Sequence, residues 1–309
     1  MADSLIIGAV TGYKYDDIAP WLNSIKQSGF TGKTGLIIYN MELAEIEKLN
    51  AAGLDYSFVI QQDPDGNAVY DNPNFNICVE RFAHLWFFLK KYEDPFDYVI
   101  ATDVKDVVFQ SNPSEWIREI TDNHEDPLII VGTENLLYKD EPWGKNNMIM
   151  SFGPLFYDEL KDTPIHCAGV IAGTRQSIQD LAKTVFLVSR GGPAYPSGGG
   201  GPDQAALNIT LNTDPWKRMT AFLESDEPFV AHCGTSWEAI KAGSGAIGEE
   251  FVQLHTSTEM QIKDRFVGPD LEFINGQVCT ENGVPFCIVH QYDRVPEWKK
   301  VILEKYGAV

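Results

Sequence analysis

An apolar run stops abruptly at two carboxylates in Tyr98-Val99-Ile100-Ala101-Thr102-Asp103-Val104-Lys105-Asp106, and a second apolar run, Val107-Val108-Phe109, follows at once. Ligands of doubly wound α/β sheets bind at the carboxyl ends of strands. Two carboxylates converging there make an oxygen site for a hard divalent cation such as Mg2+ or Mn2+. Spacing alone leaves a second reading open, because aspartate is also an ordinary loop and capping residue just after a strand.

Three further segments carry residues of a suitable kind. In Gly201-Pro202-Asp203-Gln204 a glycine-rich loop delivers a carboxylate and a carboxamide to a helix start, where Asp203 would equally well offset the helix dipole. Val284 to His290 is an apolar strand ending in an imidazole, either a ligand completing a mixed Asp/His site or a structural hydrogen-bonding residue. Pro164 to Gly173 contains small residues that permit close backbone approach. His255, also after an apolar run, rivals His290 as a ligand.

The elements that must position these residues are legible in the first hundred positions. Leu5–Val10 reads as a strand. Ile18, Trp21, Leu22 and Ile25 recur at i, i+3, i+4, i+7 behind Asp16-Asp17, with Pro20 expected in the first turn and Gly29 after the last. Gly35–Tyr39 and Tyr56–Ile60 read as strands around a helix at Glu42–Ala52, and Phe82, Leu85, Trp86 and Leu89 mark another helix before the strand Tyr98–Thr102. Strand–helix–strand alternation implies a parallel, doubly wound α/β sheet. The second half is less regular. Strands are expected at Leu128–Gly132, Gly169–Ala172 and Cys287–His290, and helices around Ile178–Val185 and from Pro202 to Asn208. Between those helices Arg190–Gly201 is a breaker-rich stretch.

The 309 residues suffice for one large or two small domains at about 150 residues each. No linker divides them, so one domain with an elaborated C-terminal half is expected. Lys and Arg number 24 against 44 Asp and Glu, a net charge of −20. That balance excludes charge-driven binding to nucleic acid or anionic lipid, which needs a positive field. The five cysteines are scattered without a CxxC, which suits a reducing compartment. The apolar run at Leu5–Val10 is too short to span a bilayer. A soluble, cytoplasmic protein without an integral membrane segment is expected.

Taken together and in order, these segments resemble the nucleotide-sugar glycosyltransferases of the GT-A fold. The pattern is nearest to the retaining, glycogenin-like and bacterial galactosyltransferase-like group, family 8 and its relatives. The resemblance runs from about Ile6 to Arg294. Val10-Thr11-Gly12-Tyr13 and Ala19-Pro20-Trp21-Leu22-Asn23-Ser24 resemble the first strand, nucleotide-contacting turn and first helix. Asp103 to Phe109 resembles the Asp-x-Asp metal motif with its apolar tail, and Cys167-Ala168-Gly169-Val170 the Asn-(Ala/Ser)-Gly-Val strand. Asp203-Gln204-Ala205-Ala206-Leu207-Asn208 resembles the Asp-Gln-x-x-Leu-Asn helix start, and Pro285 to His290 the final strand that carries the third metal ligand.

The chain departs from the pattern in three places. Its aspartates are spaced Asp-x-x-Asp, and alignment on Val107-Val108-Phe109 puts Val104 where the first metal aspartate belongs. Cys167 replaces the usual Asn, and the basic Lys-Pro-Trp segment is unmatched, with Asp293-Arg294 in its place.

The resemblance implies transfer of a sugar from a nucleoside diphosphate donor, UDP-sugar favoured, to a carbohydrate or other hydroxyl acceptor, with retention. Residues 1–110 would form the nucleotide-binding half and 111–309 the donor-sugar and acceptor half. Asp103, Asp106 and His290 would hold Mn2+ or Mg2+. Thr11, Gly12 and Tyr39 would meet the base and ribose, and Asp203 and Gln204 the donor sugar. Arg81 would reach the diphosphate or sugar, or else pair with a structural carboxylate. Trp143 and Trp237 would stack on a sugar or simply pack. A sugar-nucleotide nucleotidyltransferase ranks second, since Thr11-Gly12-Tyr13-Lys14-Tyr15 is neither glycine-rich nor strongly basic. A non-catalytic nucleotide- or sugar-binding module on the same fold is the third reading.

Overall fold

The computed structural model describes residues 3–92, 96–122, 128–190, 201–224, 226–242 and 271–308. The first half alternates as expected: β1 (Asp3–Val10), α1 (Tyr15–Gln27), β2 (Lys33–Ile38), α2 (Leu43–Ala51), β3 (Tyr56–Val59), α3 (Ile77–Lys91) and β4 (Phe96–Thr102). Then follow β5 (Val107–Phe109), α4 (Pro113–Asp122), β6 (Ile129–Leu137), α5 (Pro142–Phe152), α6 (Pro154–Leu160), β7 (Pro164–Thr174) and α7 (Arg175–Arg190). The chain continues with α8 (Asp203–Leu211), β8 (Thr220–Leu223), β9 (Val230–His232) and α9 (Trp237–Lys241). Last come β10 (Glu272–Ile274), β11 (Gln277–Cys279), β12 (Ile288–His290) and α10 (Pro296–Tyr306).

Seven strands form the central sheet in the order β3-β2-β1-β4-β7-β6-β8. Six run one way, and β7 alone runs antiparallel to its neighbours β4 and β6. The sheet is therefore mostly parallel rather than wholly so. Alternate residues feed opposite faces. Ile6, Leu36, Ile38 and Ile100 pack with α1 and α2 on one side. Leu5, Ile7, Ile37 and Val99 pack with α3, α7 and α8 on the other. Helices cover both faces, which is the Rossmann-like layering that the alternation implied.

Helix α1 begins at Tyr15, earlier than its apolar stripe suggests, so Pro20 falls inside the helix rather than in its first turn. An interior proline costs roughly 3 kcal/mol. Ile18, Trp21, Leu22 and Ile25 are all buried, each worth about 1.5–3 kcal/mol on transfer from water. The stripe outweighs the proline, and Gly29 ends the segment at a φ of 81°.

A smaller sheet in the order β5-β12-β9 lies beyond the end of β4. Strand β12 pairs antiparallel with β5 and parallel with β9. Its outer side carries a separate core of Val108, Phe286, Val289, Tyr292, Trp298 and Ile302. Asn23 Nδ2 of α1 donates to the Tyr306 carbonyl at 3.0 Å, pinning the end of α10 to α1. Among the described residues no helix is long and apolar enough to cross a membrane.

Candidate functional site

The turn after β4 is fixed from three directions. Trp21 Nε1 donates to Thr102 Oγ1 at 3.0 Å, holding the strand end. The Asp103 amide donates to the Gly169 carbonyl of β7 at 2.7 Å. The Gln291 amide donates to the Asp106 carbonyl at 2.8 Å, and Tyr292 Oη donates to the Lys105 carbonyl at 3.1 Å. Val104 turns inward instead. It is buried, and a Cβ on Gly8 would meet its methyl at 2.2 Å. The two aspartates consequently face out while Val104 between them packs in the core.

The small sheet brings the imidazole. His290 pairs with Val107 across β12 and β5, next to Asp106. Its Nε2 lies 3.5 Å from Asp103 Oδ2 and 3.8 Å from Asp106 Oδ2. Ligating atoms of the three residues all lie within 4.8 Å of one another, a spacing that can hold a cation. Gly169 makes room for the ring, since a Cβ there would meet His290 Cε1 at 2.3 Å.

Arg81 comes down from α3 and bonds to Asp103, to Asp203 Oδ2 at 3.0 Å and to the Ala168 carbonyl at 3.1 Å. Burial works against its charge, but Asp103 and then Asp203 outweigh burial and hold the guanidinium above its ordinary pKa. Burial likewise opposes charge on Asp103, but Arg81 and His290 hold its carboxyl at about 2. Burial raises Asp106 and Asp203. On His290 burial is again outweighed, by Cys167, Asp106 and Asp103, and its pKa rises well above normal.

These groups line one cavity of about 380 Å3 together with Tyr13, Trp143, Cys167 and Gln204. A second cavity of about 430 Å3 opens at the ends of β1 and β2, lined by Gly12, Tyr13, Asn40, Asp63 and Asn67. Tyr13 borders both.

The structure thus gathers Asp103, Asp106, His290, Arg81, Asp203 and Gln204 at one place. Arg81 pairs with carboxylates, as one of its two readings had it, and it also lines the cavity. Thr11 accepts from Asn40 Nδ2 at 3.0 Å, and Gly12, at a φ of 68°, lines the second cavity. Tyr39 is not brought there. It is fully buried against Tyr70, Phe75 and His84, with its Oη 2.9 Å from His84 Nδ1, and it lines neither cavity. Trp143 reaches the main cavity, whereas Trp237 is buried. His255 and residues 191–200 of the breaker-rich stretch lie outside the described residues.

Two residues at the site carry no expectation from the sequence. His232 ends β9, in register beside His290, with Nδ1 to Nδ1 at 3.1 Å. A signal existed, because Val230-Ala231-His232 repeats the apolar-strand-then-imidazole pattern of Ile288-Val289-His290. Glu134 of β6 is buried beside Cys167 and Gln204, and burial raises its carboxyl. Nothing local marks it, since a carboxylate inside a strand reads as solvent-facing. No protein-family model matches the chain, and no curated protein matches it.

Proposed function

We propose that this protein is a metal-dependent glycosyltransferase on a GT-A type of fold. It moves a sugar from a nucleoside diphosphate donor, UDP-sugar favoured, to a hydroxyl of a glycan or other acceptor, with retention. One observation carries the reading: Asp103, Asp106 and His290 converge beneath a cavity that Arg81, Asp203 and Gln204 also line.

The donor set suits Mn2+ or Mg2+, with two carboxylates and one imidazole at the required spacing. Such a cation, when bound, neutralises charge on a departing diphosphate. Asp103 and Asp106 would hold it. His290 would give up its Nε2 proton to ligate. Arg81 presents a second, permanent positive charge on the same wall, in a fork suited to phosphate oxygens. Asp203 is bound by Arg81 and anchors the start of α8, so that Gln204 faces the donor sugar. In the retaining group that the chain resembles, the leaving phosphate itself takes the acceptor proton, and no separate base is needed. The second cavity offers Asn40 and Asn67 to a base and ribose. The arrangement also reconciles a net charge of −20 with an anionic ligand, because a few of the carboxylates would recruit the cation that meets the phosphates.

The test is a panel of UDP- and GDP-sugars incubated with Mn2+ and followed for nucleoside diphosphate release. Slow hydrolysis with one donor, together with a rise in melting temperature on Mn2+ plus the matching diphosphate, is expected. Pyrophosphate from a nucleoside triphosphate and a sugar phosphate would favour the nucleotidyltransferase instead. Donor binding without turnover would favour a binding module.

A further inference from the structure

His290 presents its two ring nitrogens to two different sets of ligands. Nε2 faces Asp103 and Asp106. Nδ1 lies 3.6 Å from Cys167 Sγ and 3.1 Å from His232 Nδ1. The two imidazoles stand nearly perpendicular, at 87°. Nδ1 offers one proton or one lone pair and confronts two heteroatoms at once. Cys167, His232 and His290 are 3%, 2% and 2% exposed, and their ligating atoms lie within 4.8 Å of one another.

Those separations match a coordination shell. Tetrahedral Zn2+, with bonds of about 2.0–2.1 Å to nitrogen and about 2.3 Å to sulfur, sets N···N near 3.3 Å and N···S near 3.6 Å. We propose that Cys167, His232 and His290 form a second metal site, selective for a soft cation such as Zn2+, back to back with the carboxylate site and sharing His290 with it. A thiolate and two imidazoles favour Zn2+ over Mg2+ or Mn2+. Both Cys167 and His290 line the main cavity, which gives the ion its path and a water for the fourth position. As the metal–sulfur bond forms, the Cys167 S–H bond breaks and its proton goes to solvent.

Sharing one imidazole has a consequence. With Nδ1 on Zn2+, a neutral His290 keeps its proton on Nε2 and donates it to the aspartates instead of ligating there. Zinc in the soft site therefore weakens cation binding at Asp103 and Asp106. The soft site itself does not depend on the transferase reading; only this competition does.

The experiment uses Co2+ as the probe, added to reduced, chelator-treated full-length protein. A thiolate-to-cobalt charge-transfer band in the near ultraviolet, with tetrahedral visible bands, is expected at one equivalent and should be bleached by one equivalent of Zn2+. Cys167→Ser should lose the charge-transfer band, and Cys233→Ser should keep it. His232→Gln, which removes a ligand outright, should weaken Zn2+ by more than the about 10–100-fold that losing an outer partner of a ligand costs. Absence of the band, or its persistence in Cys167→Ser, overturns the proposal. Asp103→Asn should abolish Mn2+ binding, read by electron paramagnetic resonance, while leaving the cobalt band. Failure of the soft site and failure of the carboxylate site are thereby told apart. In wild type, one equivalent of Zn2+ should weaken Mn2+ by tenfold or more.

Discussion

Arg81 pairs with Asp103, a carboxylate of the candidate cation set, and the same guanidinium holds Asp203 at the start of α8. A cation arriving at Asp103 shares that carboxylate's charge and loosens its hold on Arg81. The guanidinium then becomes available to an anion in the cavity. Divalent cation and nucleoside diphosphate should accordingly bind with positive coupling. Arg81→Lys keeps the charge but loses the fork. Calorimetry should show diphosphate affinity in Mn2+ falling about tenfold in this variant, with the coupling reduced. Arg81→Ala leaves Asp203 buried without a partner and should cost about 3–5 kcal/mol of stability, read by denaturant titration.

Asp106→Ala removes a ligand while the backbone carbonyl that anchors Gln291 stays in place. The variant should fold normally and lose the Mn2+-dependent rise in melting temperature. Donor hydrolysis should drop by roughly a hundredfold or more, on the scale of losing one preorganised charge-stabilising group. Full turnover in this variant would remove Asp106 from the site.

Gly169→Ala tests the close approach of β7 to the imidazole. The added methyl would meet His290 Cε1 at 2.3 Å and Nε2 at 2.6 Å, and the ring is buried and cannot simply swing away. Overpacking of this kind costs about 1–3 kcal/mol. Circular dichroism should be unchanged, while Mn2+ binding falls by tenfold or more.

His84 should make the fold sensitive to mild acid. It lies 2.9 Å from Tyr39 Oη and 3.1 Å from the Glu80 carbonyl, and burial lowers its pKa below 6.5. The folded state therefore binds fewer protons than the unfolded chain. The stability that this imidazole contributes is complete above about pH 6.5 and is lost as pH falls below it. His166, pushed down to about 4 by burial, adds in the same direction. Denaturant titrations from pH 7.5 to 5 should show a smaller loss of stability in His84→Gln than in wild type.

Much of the local chemistry followed from sequence alone. The abrupt end of β4 at Asp103, the buried stripe of α1, the imidazole closing β12 and the Asp203-Gln204 start of α8 are all local patterns, carried by hydrophobic periodicity and strand or helix ends. Tertiary structure decided what these patterns meet. Strands β5 and β9 have three residues each, too few for periodicity to announce them, and the pairing of both with the expected β12 is a matter of non-local hydrogen bonds. Yet that small sheet alone sets His290 against Asp106 and His232 against His290. The reversal of β7 was equally unreadable, because an apolar run has no direction. Tyr39 shows the limit of strand-end position as a signal: the alternation that buries Ile37 carries Tyr39 into the same core beneath α3. Residue types and their order pointed to the carboxylates and imidazole; the packing of Val104 inward over Gly8 decided that Asp103 faces the cavity.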